Sequence, residues 1–229
     1  ASSSASSWTE SACTMHPITL HLDFVSPYAW LAFAQLPQSL EGLSYQVDYR
    51  PVLLGALLQQ YTNPGPAGIP PKRDWTYRHA EWLGHTQGTP LRMPQQHPFN
   101  PLPLLRLALE CSDDGRINRF TAETIFRHVW EGGHDALDAE RLTQLRVALA
   151  AQLRTDAAAA DRAKQLLRAN TEAAVAEGVF GVPTFVVQGR HFFGLDGLPM
   201  LRAYLQGDAW FAGDRWERSA AVPSGLRQG

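Results

Sequence analysis

The chain has 229 residues, 45% of them apolar and 18% charged, with 20 Lys and Arg against 22 Asp and Glu. At roughly 150 residues per domain the length fits one large domain or two small ones. The composition excludes a disordered chain. The net charge of −2 argues against the basic excess of nucleic-acid or membrane-surface proteins. The two cysteines, Cys13 and Cys111, cannot build a disulfide scaffold or a Cys-rich zinc or iron–sulfur centre.

The first 14 residues carry six serines and no apolar stretch, and no run anywhere approaches the ~20 apolar residues of a membrane span. Residues 1–16 are expected to be a disordered leader, with Met15 as the natural start and a cytoplasmic home. Ile18, Leu20, Leu22 and Phe24 then alternate with Thr19, His21 and Asp23, the period of a half-buried strand. Ser26-Pro27 opens a helix, Ser as N-cap and Pro at the first helical position. Tyr45, Val47 and Tyr49 give a second strand, completing a βαβ unit.

Residues 62–74 are rich in Pro and Gly and are expected to be loop. From Trp75 to about Asn170 the apolar spacing is helical, as in Leu142, Leu145, Leu149 and Leu153. A helix ending near Val179 stops at Gly178. Residues 184–187 and 191–193 form a hairpin, and a last helix spans about Leu198 to Leu205. Residues 212–229 lack periodicity and are expected to be a flexible tail. The order β-α-β, helical block, β-β-α predicts an α/β protein: a thioredoxin-like fold (17–62 plus 178–211) with an inserted all-helical domain (63–177).

Chemistry is expected at two places. Ser26 sits where free N–H groups and the helix dipole favour an anion, including a thiolate. In a thioredoxin-like chain the tetrapeptide Ser26-Pro27-Tyr28-Ala29 would be C-x-x-C. With both cysteine positions taken by other residues, dithiol exchange through this motif is excluded. A plain helix cap is the alternative for Ser26. In Gly181-Val182-Pro183-Thr184-Phe185, Pro183 is either edge punctuation of a strand or a cis-proline facing the helix start, with the Val182 backbone offered to an extended thiol peptide.

Phe24-x-Ser26-Pro27-Tyr28-x-Trp30, the Gly181–Phe185 run and Phe193-Gly194-x-Asp196 together resemble the 2-hydroxychromene-2-carboxylate isomerase family, a DsbA-like branch of the thioredoxin superfamily related to kappa-class glutathione transferases. Arg50-Pro51 before Leu53-Leu54-Gly55, Asn63 with Pro70-Pro71-Lys72, Pro98-Phe99-Asn100 and Arg168-Ala169-Asn170-Thr171-Glu172 add to the likeness, which runs from about Ile18 to Leu205.

The resemblance implies a glutathione-dependent isomerase acting on an aromatic-degradation intermediate. Its catalytic residue would be Ser26, holding the glutathione sulfur as thiolate. Val182, Pro183, Leu195 and Asp196 would bind glutathione, with Asp196 accepting from the α-ammonium. Asp196 could equally cap the following helix. Tyr28, Asn63 and Lys72 would meet the small aromatic substrate. Trp30, Trp75 and Tyr77 are further candidates for its pocket, with core packing as the alternative. A homodimer is implied, without nucleic acid or membrane. The alternatives are a kappa-like transferase and a non-catalytic thioredoxin-like binding module.

The eight histidines show no i, i+4 pairing, so no metal site is expected and they are assigned to surface or packing.

Overall fold

A computed structural model describes residues 15–223 and residue 225. Cys13 and most of the expected leader lie outside the described residues. A four-stranded mixed sheet in the order β2-β1-β3-β4 forms the centre: β1 (His16–Leu22), β2 (Tyr45–Pro51), β3 (Thr184–Val187) and β4 (Arg190–Phe193). β1 opens at His16, so the last residue assigned to the leader is already strand. Helix α1 (Pro27–Ser39) joins β1 to β2, which runs parallel to it; β3 is antiparallel to β1, and β4 to β3.

Between β2 and β3 lie α2 (Leu54–Gln60), α3 (Pro70–Thr86), α4 (Leu102–Glu110), α5 (Arg119–Trp130), α6 (Ala139–Ala148) and α7 (Ala159–Glu177). Helix α7 ends at Gly178, whose φ of 89° is the left-handed conformation that glycine adopts without strain. Gln188 and Gly189, both at positive φ, make the two-residue hairpin turn. Helix α8 (Leu198–Leu205) follows β4.

Two segments differ from the sequence expectation. Residues 62–74 are not all loop: Pro66–Gly68 form a 3-10 turn, and α3 begins at Pro70, because consecutive prolines fit the first helical positions, where no N–H is needed. The region expected to be a flexible tail carries α9 (Arg215–Ala220), whose Trp216 ring meets Phe192 and Phe211 with the Arg190 guanidinium over it. A short helix with one aromatic anchor has no periodicity to detect.

The core joins the sheet to the helical block. Ile18, Leu20, Leu22 and Phe185 belong to one buried cluster with Phe33, Leu105, Phe126 and Trp130. Val182, Val186 and Val52 belong to a second cluster with Leu57, Ala174 and Val179. Phe185 and Val186 are neighbours on one strand, so the clusters lie on opposite faces of the sheet.

The pairing also decides where chemistry can sit. β1 runs antiparallel to β3 with His21 opposite Thr184, so the end of β1 meets the start of β3. Phe193 is also opposite Thr184, which brings the turn after β4 to the same end. Leu22 lies beside Pro51, which brings the start of α2 there too.

Candidate active site

Four segments therefore converge at one end of the sheet. Ser26 is the N-cap of α1, with an extended backbone (φ −94°, ψ 116°), and its Oγ accepts the Ala29 N–H at 3.2 Å. The cap and the thiol-site expectation are compatible, because capping uses one lone pair and leaves the hydroxyl proton. That proton has only a long contact, 3.5 Å, to the Val182 carbonyl. The Val182–Pro183 bond is cis, and Thr184 Oγ1 donates to Gly181 O at 2.7 Å, closing the turn. Among the described residues no backbone carbonyl takes the Val182 N–H.

The turn carrying Leu195 and Asp196 is tied to the same proline. The Gly194 N–H donates to Pro183 O at 2.9 Å, with Gly194 at φ 83°. A Cβ on Gly197 would stand 2.6 Å from the Phe193 carbonyl oxygen, so this turn needs glycine there. Helix α8 has no side-chain cap, which settles the alternative for Asp196 against capping. Its exposed carboxylate takes no hydrogen bond or ion pair among the described residues. Its charge reaches Tyr28: burial first, and then Asp196, push the Tyr28 phenol above its ordinary pKa, so the hydroxyl keeps its proton.

Tyr28 faces α3. Its hydroxyl lies 2.9 Å from His79 Nδ1. The His79 ring stacks on Trp75 (centroids 5.7 Å, 13°) and on Trp82 (6.1 Å, 15°). Lys72, Trp75, His79 and Trp82 follow at intervals of three and four and share one face of the helix. Trp75 is 64% exposed, Trp82 58%, a rare state for tryptophan. Of the other pocket candidates, Trp30 is core: it is buried and donates Nε1–H to Pro90 O. Tyr77 donates to the His97 carbonyl. Asn63 spends its side-chain oxygen on the Gly65 N–H, shaping its own loop. Lys72 is exposed on the first turn of α3.

Three residues carried no functional reading in the sequence. Asp23 is fully buried; its Oδ1 accepts Val25 N–H at 3.1 Å and its Oδ2 accepts Leu54 N–H at 2.9 Å. Desolvation raises its pKa to about 7 against these opposing hydrogen bonds. Trp130 Nε1–H donates to Phe24 O at 3.0 Å, and His97 Nε2 lies 2.7 Å from Val25 O. His97 is thus neither a surface nor a purely packing residue. Its position directly before the Pro98-Phe99-Asn100 motif was the available signal. Cys111 is buried, and desolvation raises its thiol to about 11, which removes it as a nucleophile.

A groove of about 430 Å³, lined by Glu81, His85, Arg92 and Glu131 among others, is not bounded by Ser26, Val182 or Asp196. Among the described residues no group of three or more His, Cys, Asp or Glu could hold a metal, and no helix is long and apolar enough to cross a membrane.

The fold agrees with what known proteins show. Residues 17–206 match the DSBA-like thioredoxin domain. Rat glutathione S-transferase kappa 1 (Rattus norvegicus) is 26% identical over 212 residues, covering 84% of this chain and 92% of that protein. The 2-hydroxychromene-2-carboxylate isomerase of Sphingobium xenophagum is 24% identical over 192 residues, covering 82% and 97%. A solved 2-hydroxychromene-2-carboxylate isomerase structure shares the fold, with a TM-score of 0.64 at 23% identity over 91% of this chain and 100% of that one. With a match that spans the sheet, the helical block and α8, the chain belongs to the DSBA-like thioredoxin domain family.

Proposed function

We propose that this protein is a glutathione-dependent isomerase of the 2-hydroxychromene-2-carboxylate type. The observation that carries the reading is a thioredoxin-like corner without its cysteines: Ser26 caps α1 opposite a cis Val182–Pro183 bond, so any sulfur must come with a ligand. Three groups there have unused hydrogen-bonding capacity that suits a thiol tripeptide. The Ser26 hydroxyl is held only by a long contact, the Val182 N–H has no backbone partner among the described residues, and Asp196 presents a carboxylate to an ammonium.

When bound, glutathione supplies a sulfur nucleophile that adds reversibly to a conjugated carbon, making a double bond into a rotatable single bond. Ser26 turns its hydroxyl from Val182 toward the sulfur and favours its ionised form, helped by the free N–H groups at the start of α1. Val182 pairs with the extended tripeptide as a strand would. The face of α3 takes the electrophile: Trp75 offers a ring to an aromatic substrate and Lys72 a cation to its carboxylate. The Tyr28 hydroxyl lies between this face and Ser26.

A kappa-type transferase is the second reading, favoured by the rat relative, and it uses the same thiol corner. Incubation with 2-hydroxychromene-2-carboxylate and a small amount of glutathione separates the two. The isomerase reading expects many turnovers per glutathione with the free thiol recovered. Loss of one thiol per product supports transfer, and absence of any glutathione dependence contradicts both.

A further inference from the structure

We infer that the helical block is part of the thiol site, and that His97 is a positioning residue which, with Trp130, sets the peptide groups presenting Ser26. The turn from Asp23 to Ser26 is held on every side. Ser26 N–H donates to the Asp23 carbonyl at 3.1 Å, and Val25 N–H to Asp23 Oδ1 at 3.1 Å. The next two carbonyls go to side chains of the helical block: Phe24 O accepts Trp130 Nε1–H at 3.0 Å, and Val25 O faces His97 Nε2 at 2.7 Å. The two rings pack on one another, with centroids 5.6 Å apart.

The contact with Val25 fixes which nitrogen of His97 carries a proton. A carbonyl only accepts, so Nε2 carries the proton toward Val25. The Tyr77 hydroxyl lies 2.8 Å from both Nδ1 and the His97 carbonyl, so its single proton is shared between these two acceptors. Burial pushes the His97 pKa down, which favours the neutral ring with its proton on Nε2. Phe99 and Tyr77 pack edge-on against it, limiting its rotation.

The consequence reaches Ser26 through planar peptides. The Val25 carbonyl and the Ser26 N–H belong to one rigid unit, so a donor on the first fixes the second. Two carbonyls turned into the helical block also keep their partial negative charge bonded and away from an anion at Ser26. Released, they would raise the pKa of a thiol held there. The clamp itself follows from the free protein; only its effect on a thiol rests on the glutathione reading.

The test uses the full chain with His97→Leu, which removes both ring bonds, and His97→Gln, whose amide can still donate to Val25. Hydrogen exchange at the Ser26 and Ala29 amides of the free protein is expected to quicken about tenfold or more in His97→Leu and to stay within about twofold in His97→Gln. The thiol of bound glutathione, followed by thiolate absorbance, is expected to titrate higher in His97→Leu than in the parent. Equal exchange in parent and His97→Leu, or equal quickening in both variants, overturns the clamp. If the parent binds no glutathione, the proposed function fails while the exchange rates still decide the clamp. If His97→Leu does not fold, the ¹⁵N resonances of His97 in the parent decide: a neutral ring protonated at Nε2 supports the clamp, and an Nδ1-protonated neutral ring contradicts it.

Discussion

The thiol corner and the face of α3 lie on either side of Tyr28 and are made of different materials. The corner is backbone held by backbone and by buried side chains: a helix N-terminus, a cis peptide bond, a glycine turn and the Asp23 carboxylate. The α3 face is a row of exposed rings, Trp75, His79 and Trp82, joined to the corner by one hydrogen bond from Tyr28. A reagent common to every turnover suits the first, because a preorganised site costs no ordering when the ligand arrives. A variable partner suits the second, where side chains can change without disturbing the fold. Changes in the corner should therefore alter stability and thiol chemistry together, and changes on α3 should alter only the electrophile.

The largest expected effect is on the pH dependence of stability. Burial raises Asp23 from its ordinary 3.8 to about 7, so the folded chain binds a proton there that the unfolded chain has already lost. This contribution is fully present below about pH 4 and is lost as pH rises to about 7, worth on the order of 4 kcal/mol at about 1.4 kcal/mol per pH unit. Asp23→Asn should flatten that part of the slope in urea denaturation at pH 4, 5.5 and 7. An unchanged slope would mean that Asp23 is ionised in the fold.

Ser26→Ala comes next, with kcat/KM expected to fall about 10²–10³-fold by analogy with removal of one oxyanion donor. Loss of the cap should cost about 1 kcal/mol in addition. Loss of stability with unchanged turnover would reduce Ser26 to a cap.

Gly197→Ala should lower stability by roughly 1–3 kcal/mol, since the added Cβ must displace backbone. It should also weaken glutathione binding by shifting Asp196; a variant as stable and as well bound as the parent would show that this turn is loose. The smallest effect belongs to Trp75→Ala: KM for an aromatic electrophile up about three- to tenfold, by the worth of one aromatic contact, with KM for glutathione unchanged. If the glutathione term moves instead, the division between the two walls fails.

The same division explains what the sequence could reveal. Ser26-Pro27, the Gly181–Phe185 run and Phe193-Gly194-x-Asp196 are local backbone devices, and local devices leave contiguous motifs. The sheet was legible for the same reason, through period-two alternation and the Gln188-Gly189 turn. The α3 face was legible only in part: Lys72 and Trp75 were suggested by resemblance, but Pro and Gly masked where the helix begins, and nothing in the sequence joined these two to His79 and Trp82. Asp23 appeared only as a polar position in an alternating strand, and its second oxygen meets Leu54, 31 residues away. His97 lies 72 residues from Val25, and no spacing rule connects them. Asn63 shows the converse: a position suggested by resemblance whose oxygen is committed to Gly65.

On the proposed function, this corner stabilises a thiolate that it does not itself possess. The direct measurement is the pKa of the glutathione thiol bound to the parent and to Ser26→Ala, by absorbance of the thiolate. The bound thiol is expected to titrate at least about one pH unit below the ~8.5 of a free cysteine and to return toward that value in Ser26→Ala. A bound thiol that titrates like the free one in the parent, or one equally depressed without Ser26, would contradict it.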